Sequence, residues 1–328
     1  MTPLLEIEGL VTRFPLARGL VEAARGVPAR AVRAVDGISL SVGEGELVAL
    51  VGESGSGKTT TAQTLMRMAE PAAGSIRFRG RDITRLGHGE LKPIRRRMQM
   101  IYQDPYESLD PRFRIRRTVA EPLAVHRIGG TRQEREARVV AALERAGLTP
   151  AERYLDRFPH QLSGGQRQRV AIATALAPEP DLLIADEPVS MLDVDVRDGI
   201  LALLDQLRRS GLGILMITHD LSVAARHADR IAVMYLGRIV EEGPAAEVVG
   251  DPMHPYTRAL VSAIPQADPS LRRRPEIRPG EPPDPTAIPS GCRFHPRCPV
   301  GVPSCADHEP AVRRRGDDHW AACSLQLA

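Results

Sequence analysis

The sequence predicts an α/β fold built around a phosphate-binding loop, with a helical subdomain and a small cysteine-rich segment at its C-terminal end. Three observations predict it. Short apolar strands read at 181–186, 213–218 and 230–236, and each of the first two follows a helical stretch, as in βαβ units with a largely parallel sheet. A glycine-rich loop at 48–60 joins an apolar strand to a helical stretch. Between about 85 and 178 the pattern is mostly helical, and RQEREARVVAALERA at 132–146 sets apolar side chains at helical spacing with charges between.

In chain order, 4–11 and 38–51 alternate or run apolar with glycine between, like strands joined by turns. Residues 13–34 carry five Arg, two Gly and two Pro and read as an exposed insertion. A core of 1–250 follows, with its helical subdomain at about 88–178. Fourteen of the 28 prolines lie between Pro252 and Pro310, which marks 251–290 as an extension. Within it, 265–290 holds neither a regular helix nor a central strand and reads as a linker. The four cysteines all fall in 291–328. A disulfide framework spreads through its fold, so this clustering marks one local site.

Composition narrows the class. Apolar residues make up 42% and charged residues 26%, which excludes wholesale disorder. The net charge of +3 gives no excess that would favour nucleic acid as a partner. No apolar run approaches the ~20 residues of a membrane helix, and MTPLLEIEGL has neither a basic region nor a long apolar one, so it does not read as a secretory signal.

In VALVGESGSGKTT, Gly52, Gly55 and Gly57 let the backbone curl so that its N–H groups face phosphate oxygens. The following helix offers its N-terminal dipole, Lys58 reaches the β- and γ-phosphates, and the Thr59 hydroxyl binds Mg²⁺. DLLIADEP at 181–188 supplies the acidic partner: Asp186 ends an apolar strand and holds Mg²⁺, and Glu187 can take a proton from attacking water. LSGGQRQRV puts Ser163, Gly164 and Gly165 at the head of a helical run, 163–177. Gln103 and His219 each follow a strand-like run; taken singly, either is an ordinary structural residue.

Together these segments resemble the ATP-binding-cassette (ABC) ATPases, P-loop NTPases with a helical subdomain. Gly52–Thr59 resembles Walker A, Leu162–Gln166 the LSGGQ signature, and Leu182–Glu187 Walker B with its catalytic glutamate. Ser190–Asp193 resembles the D-loop, with Met191 where alanine is usual; Gln103 resembles the Q-loop and His219 the switch histidine. The resemblance spans about 4–250 and implies two cassettes paired head to tail, with Ser163 and Gly165 acting on the partner's ATP. It implies ATP contacts from Phe14, stacked on adenine, and from Gly52, Glu53, Ser54, Gly55, Ser56, Gly57, Lys58, Thr59, Thr60, Ser163, Gly164, Gly165, Gln166 and Asp193. Magnesium falls to Thr59, Gln103 and Asp186, and catalysis to Glu187, His219, Gln103 and Lys58.

DPMHPYTRALVSAIP at 251–265, MIYQDPYESLDPR and the early insertion resemble the ATPase subunits of oligopeptide and dipeptide importers. That implies a peripheral subunit on the cytoplasmic face of the cell membrane, paired with a second ATPase subunit. Permease subunits and, through them, an extracytoplasmic solute-binding protein are its implied partners. The same group serves nickel and other small solutes. A soluble ABC ATPase acting on nucleic acid or ribosomes would have two cassettes or a long coiled coil, and a nucleotide kinase would lack LSGGQ and Glu187.

Cys292, Cys298, Cys305 and Cys323 leave three readings open: buried unligated thiols, a zinc site, or a [4Fe–4S] cluster. Some peptide-importer ATPases carry a similar four-cysteine segment holding such a cluster, and the resemblance implies iron–sulfur, with zinc as the alternative. His295, His308 and His319 read as surface or supporting histidines. Arg95–Arg97, Arg112–Arg117, Arg272–Arg274 and Arg313–Arg315 read as solvated charges.

Overall fold

A computed structural model describes residues 3–16, 31–104, 108–264, 277–278 and 283–325. Most of the early insertion and of the 265–290 linker lies outside these residues. The chain forms two compact units. One comprises Met1–Glu6, Ser41–Leu47 and Arg77–Thr218; the other comprises Ile7–Leu40, Val48–Ile76 and His219–Ala328.

The second unit is mixed α/β. Strands β1 (Leu5–Pro15), β2 (Ala31–Val42) and β4 (Ala73–Phe78) associate in the order β2-β1-β4. Strand β3 (Leu47–Val51) is buried throughout and feeds helix α1 (Lys58–Leu65) through the glycine loop. It pairs in parallel with β9 (Arg230–Tyr235), Val48 opposite Arg230 and Val51 opposite Val233. Leu236 (φ +42°) and Gly237 (φ +82°) then turn the chain back into antiparallel β10 (Arg238–Pro244). Two successive left-handed residues match the right-handed twist of a hairpin.

The cysteine segment adds to this sheet. The hairpin of β11 (Val312–Arg315) and β12 (His319–Ala322) pairs β12 with β10, Glu241 opposite Ala321. Helices α8 (Leu221–His227), α9 (Ala245–Gly250), α10 (Pro255–Ser262) and α11 (Ser304–Asp307) complete the unit. Helix α10 lies in the extension, ahead of the 265–290 linker. Its only prolyl residue, Pro255, sits at the first helical position, where no N–H is needed.

Glu241 fastens this region. It is fully buried and accepts the N–H groups of Met253 (2.7 Å) and His254 (2.8 Å) and the His319 imidazole Nε2 (2.8 Å). Of the two readings of His319, surface or supporting, the surface one does not hold: it is wholly enclosed and bonded to β10.

The first unit stacks β6 (Met98–Ile101), β7 (Leu182–Asp186) and β8 (Gly213–Thr218) in parallel. Every residue of β7 and β8 is buried, as parallel strands require. The two-residue strand β5 (Arg81–Asp82) pairs with the end of β4. Helices α2 (His88–Arg97), α3 (Ile115–Val125), α4 (Arg132–Arg145), α5 (Glu152–Leu155), α6 (Gly164–Leu176) and α7 (Val194–Arg209) supply the helical part. Helices α3, α4 and α6 pack on one another, with Ile115, Val119 and Leu123 forming the buried stripe of α3. Thr131 and Glu134 cap α4 reciprocally, each side chain bonding the other's backbone N–H.

Of the arginines expected to be solvated, Arg272–Arg274 lie outside the described residues, and several of the others are engaged. Arg97 forks onto Asp181 with two 2.6 Å bonds, and Arg117 lies 3.6 Å over the Phe113 ring. Arg315 donates to the Asp251 carbonyl.

His254 caps α10 by accepting the Tyr256 N–H on Nδ1 at 3.1 Å, so it must be neutral. Burial pushes its pKa down to about 4, although the Glu241 charge opposes the shift. The unfolded chain takes up this proton near pH 6.5 and the folded chain does not, so stability present above pH 6.5 is lost as pH falls to about 4. We expect denaturant midpoints to fall over that window, by an amount of order 3 kcal/mol, and His254→Asn to flatten the slope.

Candidate functional site

In the second unit the loop between β3 and α1 has little room for side chains. A Cβ on Gly52 would collide with the Met234 carbonyl, and one on Gly57 with the Ala34 carbonyl. Gly55 (φ +78°) and Gly57 (φ +108°) also lie in the left-handed region that favours glycine. Lys58 opens α1, is 5% exposed, and donates from Nζ to the carbonyls of Gly52 (2.7 Å) and Glu53 (2.9 Å). The Ser56 hydroxyl is buried and has no hydrogen-bond partner within the protein. An orphaned hydroxyl inside a glycine loop suits a ligand rich in acceptor oxygens, as a phosphate is. Ser54, Gly55 and Thr59 are exposed, and Thr60 is half-buried. Phe14 stands exposed on β1 and His219 is exposed ahead of α8.

The first unit brings together two other expected residues. Asp186 is 2% exposed at the end of β7. Glu187 follows with φ +46°, a conformation uncommon outside glycine. Its N–H donates to the Ile217 carbonyl at 2.8 Å, and the Ser190 hydroxyl donates to its carbonyl at 3.1 Å. This geometry turns the side chain off the strand, where Gln103 Nε2 donates to Glu187 Oε2 at 3.4 Å. The contact is long, so it orients the carboxylate without holding it firmly.

Ser163 is the N-cap of α6. Its hydroxyl accepts the Gln166 N–H at 3.3 Å, while the Gln166 side chain accepts the Ser163 N–H at 3.1 Å. Gly165 is buried, and a Cβ there would strike Val196 on α7. Gly164 is half-buried and Ser163 exposed. Asp193 precedes α7, and Met191 beside it is 58% exposed.

The four cysteines are free thiols. Together with His254, His295 and His308 they line one cavity of about 120 Å³. Burial raises the pKa of Cys292 to about 11 and also raises those of Cys298 and Cys323, so the thiol form is favoured. Among the described residues no group of three or more His, Cys, Asp or Glu is disposed to hold a metal ion. The expected four-thiolate metal site is thus not confirmed, although its four donors line one cavity.

Several partners of the loop escaped sequence reasoning. Arg297 donates to both carboxylate oxygens of Glu53 (2.8 and 3.0 Å), and the Tyr256 hydroxyl accepts the Glu53 N–H at 2.9 Å. Hydrogen bonding to Glu53 raises the Arg297 pKa above its ordinary value. Arg293 bonds the Asp36 carboxylate and the Leu236 carbonyl. A lone arginine beside a cysteine carries no local pattern, so no sequence signal marked either one.

Comparison with known proteins bears on both units. The model of a family described as ABC transporter matches residues 35–190, and that of the C-terminal region of oligopeptide/dipeptide transporters matches 240–305. A putative peptide import ATP-binding protein of Brucella ovis is 43% identical over 323 residues, 98% of each chain. The oligopeptide transport ATP-binding protein AppF of Bacillus subtilis is 41% identical over 326 residues, covering 98% of this chain and 97% of that one. Among solved structures, a dimeric ATP-binding cassette in a post-hydrolysis state bound to ADP and Pi aligns with TM-score 0.63 and 30% identity. It covers 74% of this chain and 98% of its own. Structure cbiO1 from Clostridium perfringens, part of the ABC transporter complex cbiONQ, aligns with TM-score 0.64 and 28% identity, over 76% of this chain and 92% of its own.

The glycine loop makes a structural prediction independent of any ligand. Gly57→Ala must move the Ala34 carbonyl and adopt a left-handed φ. We expect a loss of about 2–3 kcal/mol in stability, read as a lower urea midpoint.

Proposed function

The chain belongs to the ABC transporter family of ATP-binding proteins, and we propose that it is the ATP-hydrolysing subunit of a peptide importer. The observation that carries the peptide reading is the match of 240–305 to the peptide-transporter C-terminal region, together with near-full-length similarity to proteins named for peptide import. No described helix is long and apolar enough to cross a membrane. A peripheral subunit working through transmembrane permease partners, and through them a solute-binding protein, accords with this.

The proposed roles follow the chemistry of each residue. The N–H groups of Gly52–Gly57 and the Lys58 ammonium neutralise the triphosphate, and the orphaned Ser56 hydroxyl supports that assignment. Thr59, Asp186 and Gln103 serve Mg²⁺. Glu187 takes the proton of the attacking water, with Gln103 orienting its carboxylate. His219 steadies the γ-phosphate, and Phe14 offers its exposed ring to adenine. Thr60 and Glu53 complete the loop. Ser163, Gly164, Gly165, Gln166 and Asp193 act on the ATP of a second cassette, a reading supported by the exposure of Ser163 and Met191.

For the tail we propose an iron–sulfur cluster held by Cys292, Cys298, Cys305 and Cys323, with one zinc ion as the alternative. The chemistry of four thiols in one cavity supports it. Bound metal would supply the positive charge that lets all four ionise side by side.

Two experiments test these readings. With permease and binding protein reconstituted in vesicles, ATP hydrolysis should rise when peptide is supplied. Glu187→Gln should keep ATP binding but lose turnover by a factor of about 100 or more. Hydrolysis indifferent to peptide but responsive to nickel or another solute would reassign the cargo, and turnover unchanged in Glu187→Gln would remove the base. Protein purified without oxygen should contain about four iron and four sulfide per chain, with broad visible absorbance. About one zinc in a colourless sample would favour the alternative, and no metal would leave four thiols.

A further inference from the structure

The side chain of Glu53 places a carboxylate in the loop whose neighbouring amides are suited to phosphate. That charge opposes the ligand for which the loop is built. Three groups hold residue 53. The Lys58 ammonium donates to its carbonyl, the Tyr256 hydroxyl takes its N–H, and Arg297 grips both carboxylate oxygens. The last contact is the fork-to-fork geometry that only arginine provides. It lies largely out of water: the side chains of Arg297 and Glu53 are 10% and 29% exposed.

Arg297 is itself fixed. Its guanidinium lies 5.9 Å from the centre of the Tyr235 ring, and Tyr235 belongs to an aromatic cluster with Tyr256 and Phe294. Four residues earlier, Arg293 bonds the Leu236 carbonyl in the β9–β10 turn. The next residue of that turn, Gly237, donates its N–H to the Ser56 carbonyl at 2.8 Å. One short segment of the tail, 293–297, thus reaches the loop at Glu53 and, through the turn, at Ser56.

We infer that Arg297 is a positioning residue for ATP binding: it cancels the Glu53 charge and fixes the first half of the loop. This rests on the reading of Gly52–Thr60 as the nucleotide site. Without Arg297 the carboxylate stands unneutralised beside the triphosphate, well within a Debye length. ATP is then repelled more than ADP, which carries one charge fewer.

The test is calorimetric titration of the full-length chain with MgATP and with MgADP. Arg297→Ala should weaken ATP about tenfold and ADP less, a size expected for one uncompensated charge at short range. In turnover assays the ATP KM should rise while kcat stays within about twofold. Arg297→Lys should recover most of the affinity, since it returns the charge. Glu53→Gln combined with Arg297→Ala should regain much of the ATP affinity lost in Arg297→Ala alone, which a merely structural role would not produce. Unchanged affinity in Arg297→Ala, or the same loss in the double variant, would overturn the inference. Should Arg297→Ala fail to fold, Arg297→Gln, alone and with Glu53→Gln, decides the same question. Lys58→Ala runs alongside: if it too binds ATP normally, the nucleotide reading fails, and the inference with it.

Discussion

Two backbone carbonyls, those of Met234 and Ala34, press against the loop between β3 and α1 so closely that Gly52 and Gly57 can carry no side chain. The second unit follows from that close approach. Met234 must sit at the end of β9, which fixes the parallel pairing of β3 with β9. The chain must then reverse at once, which makes Leu236 and Gly237 adopt left-handed conformations. The strain at Leu236 is tolerable because Arg293 anchors its carbonyl. A loop rich in glycine is floppy when free; here it is confined on two sides by main chain and held at Glu53 by side chains.

The tail is therefore a structural part of the glycine loop's surroundings. Glu241 shows how it is attached. A buried carboxylate must find donors, and this one takes two backbone N–H groups from the turn before α10 and an imidazole from β12. The same carboxylate thus sets the start of α10, which delivers Tyr256, and the seat of the terminal hairpin. The four thiols line a cavity bounded by these elements.

Much of this was legible in the sequence, for reasons that can be named. The glycine loop, the apolar strands β7 and β8, and the helical runs of α4 and α6 are local: each is written in adjacent residues whose spacing has one good physical solution. LSGGQ stands at the head of a helical run in the sequence, and in the structure Ser163 and Gln166 cap each other there. What could not be read was the long-range pairing of charges. Arg297 meets Glu53 across 244 positions and Arg293 meets Asp36 across 257; neither pair has a periodicity to betray it. Helix α10 was not marked by its one proline, because Pro255 is harmless at the first helical position. His319 could be read as either a surface or a supporting residue because its partner lies 78 residues away on another strand.

The backbone at Glu187 has a further consequence. A φ of +46° is where glycine is at ease and glutamate is not. Exchange for glycine would relax that turn, yet it would also delete the carboxylate that Gln103 touches. Any search for hardier versions of this protein, whether by consensus or by heat selection, will therefore be drawn to this position and will lose the carboxylate in gaining stability. Position 187 marks a place where durability and chemistry pull in opposite directions, and it should be held fixed before any thermostable version is sought.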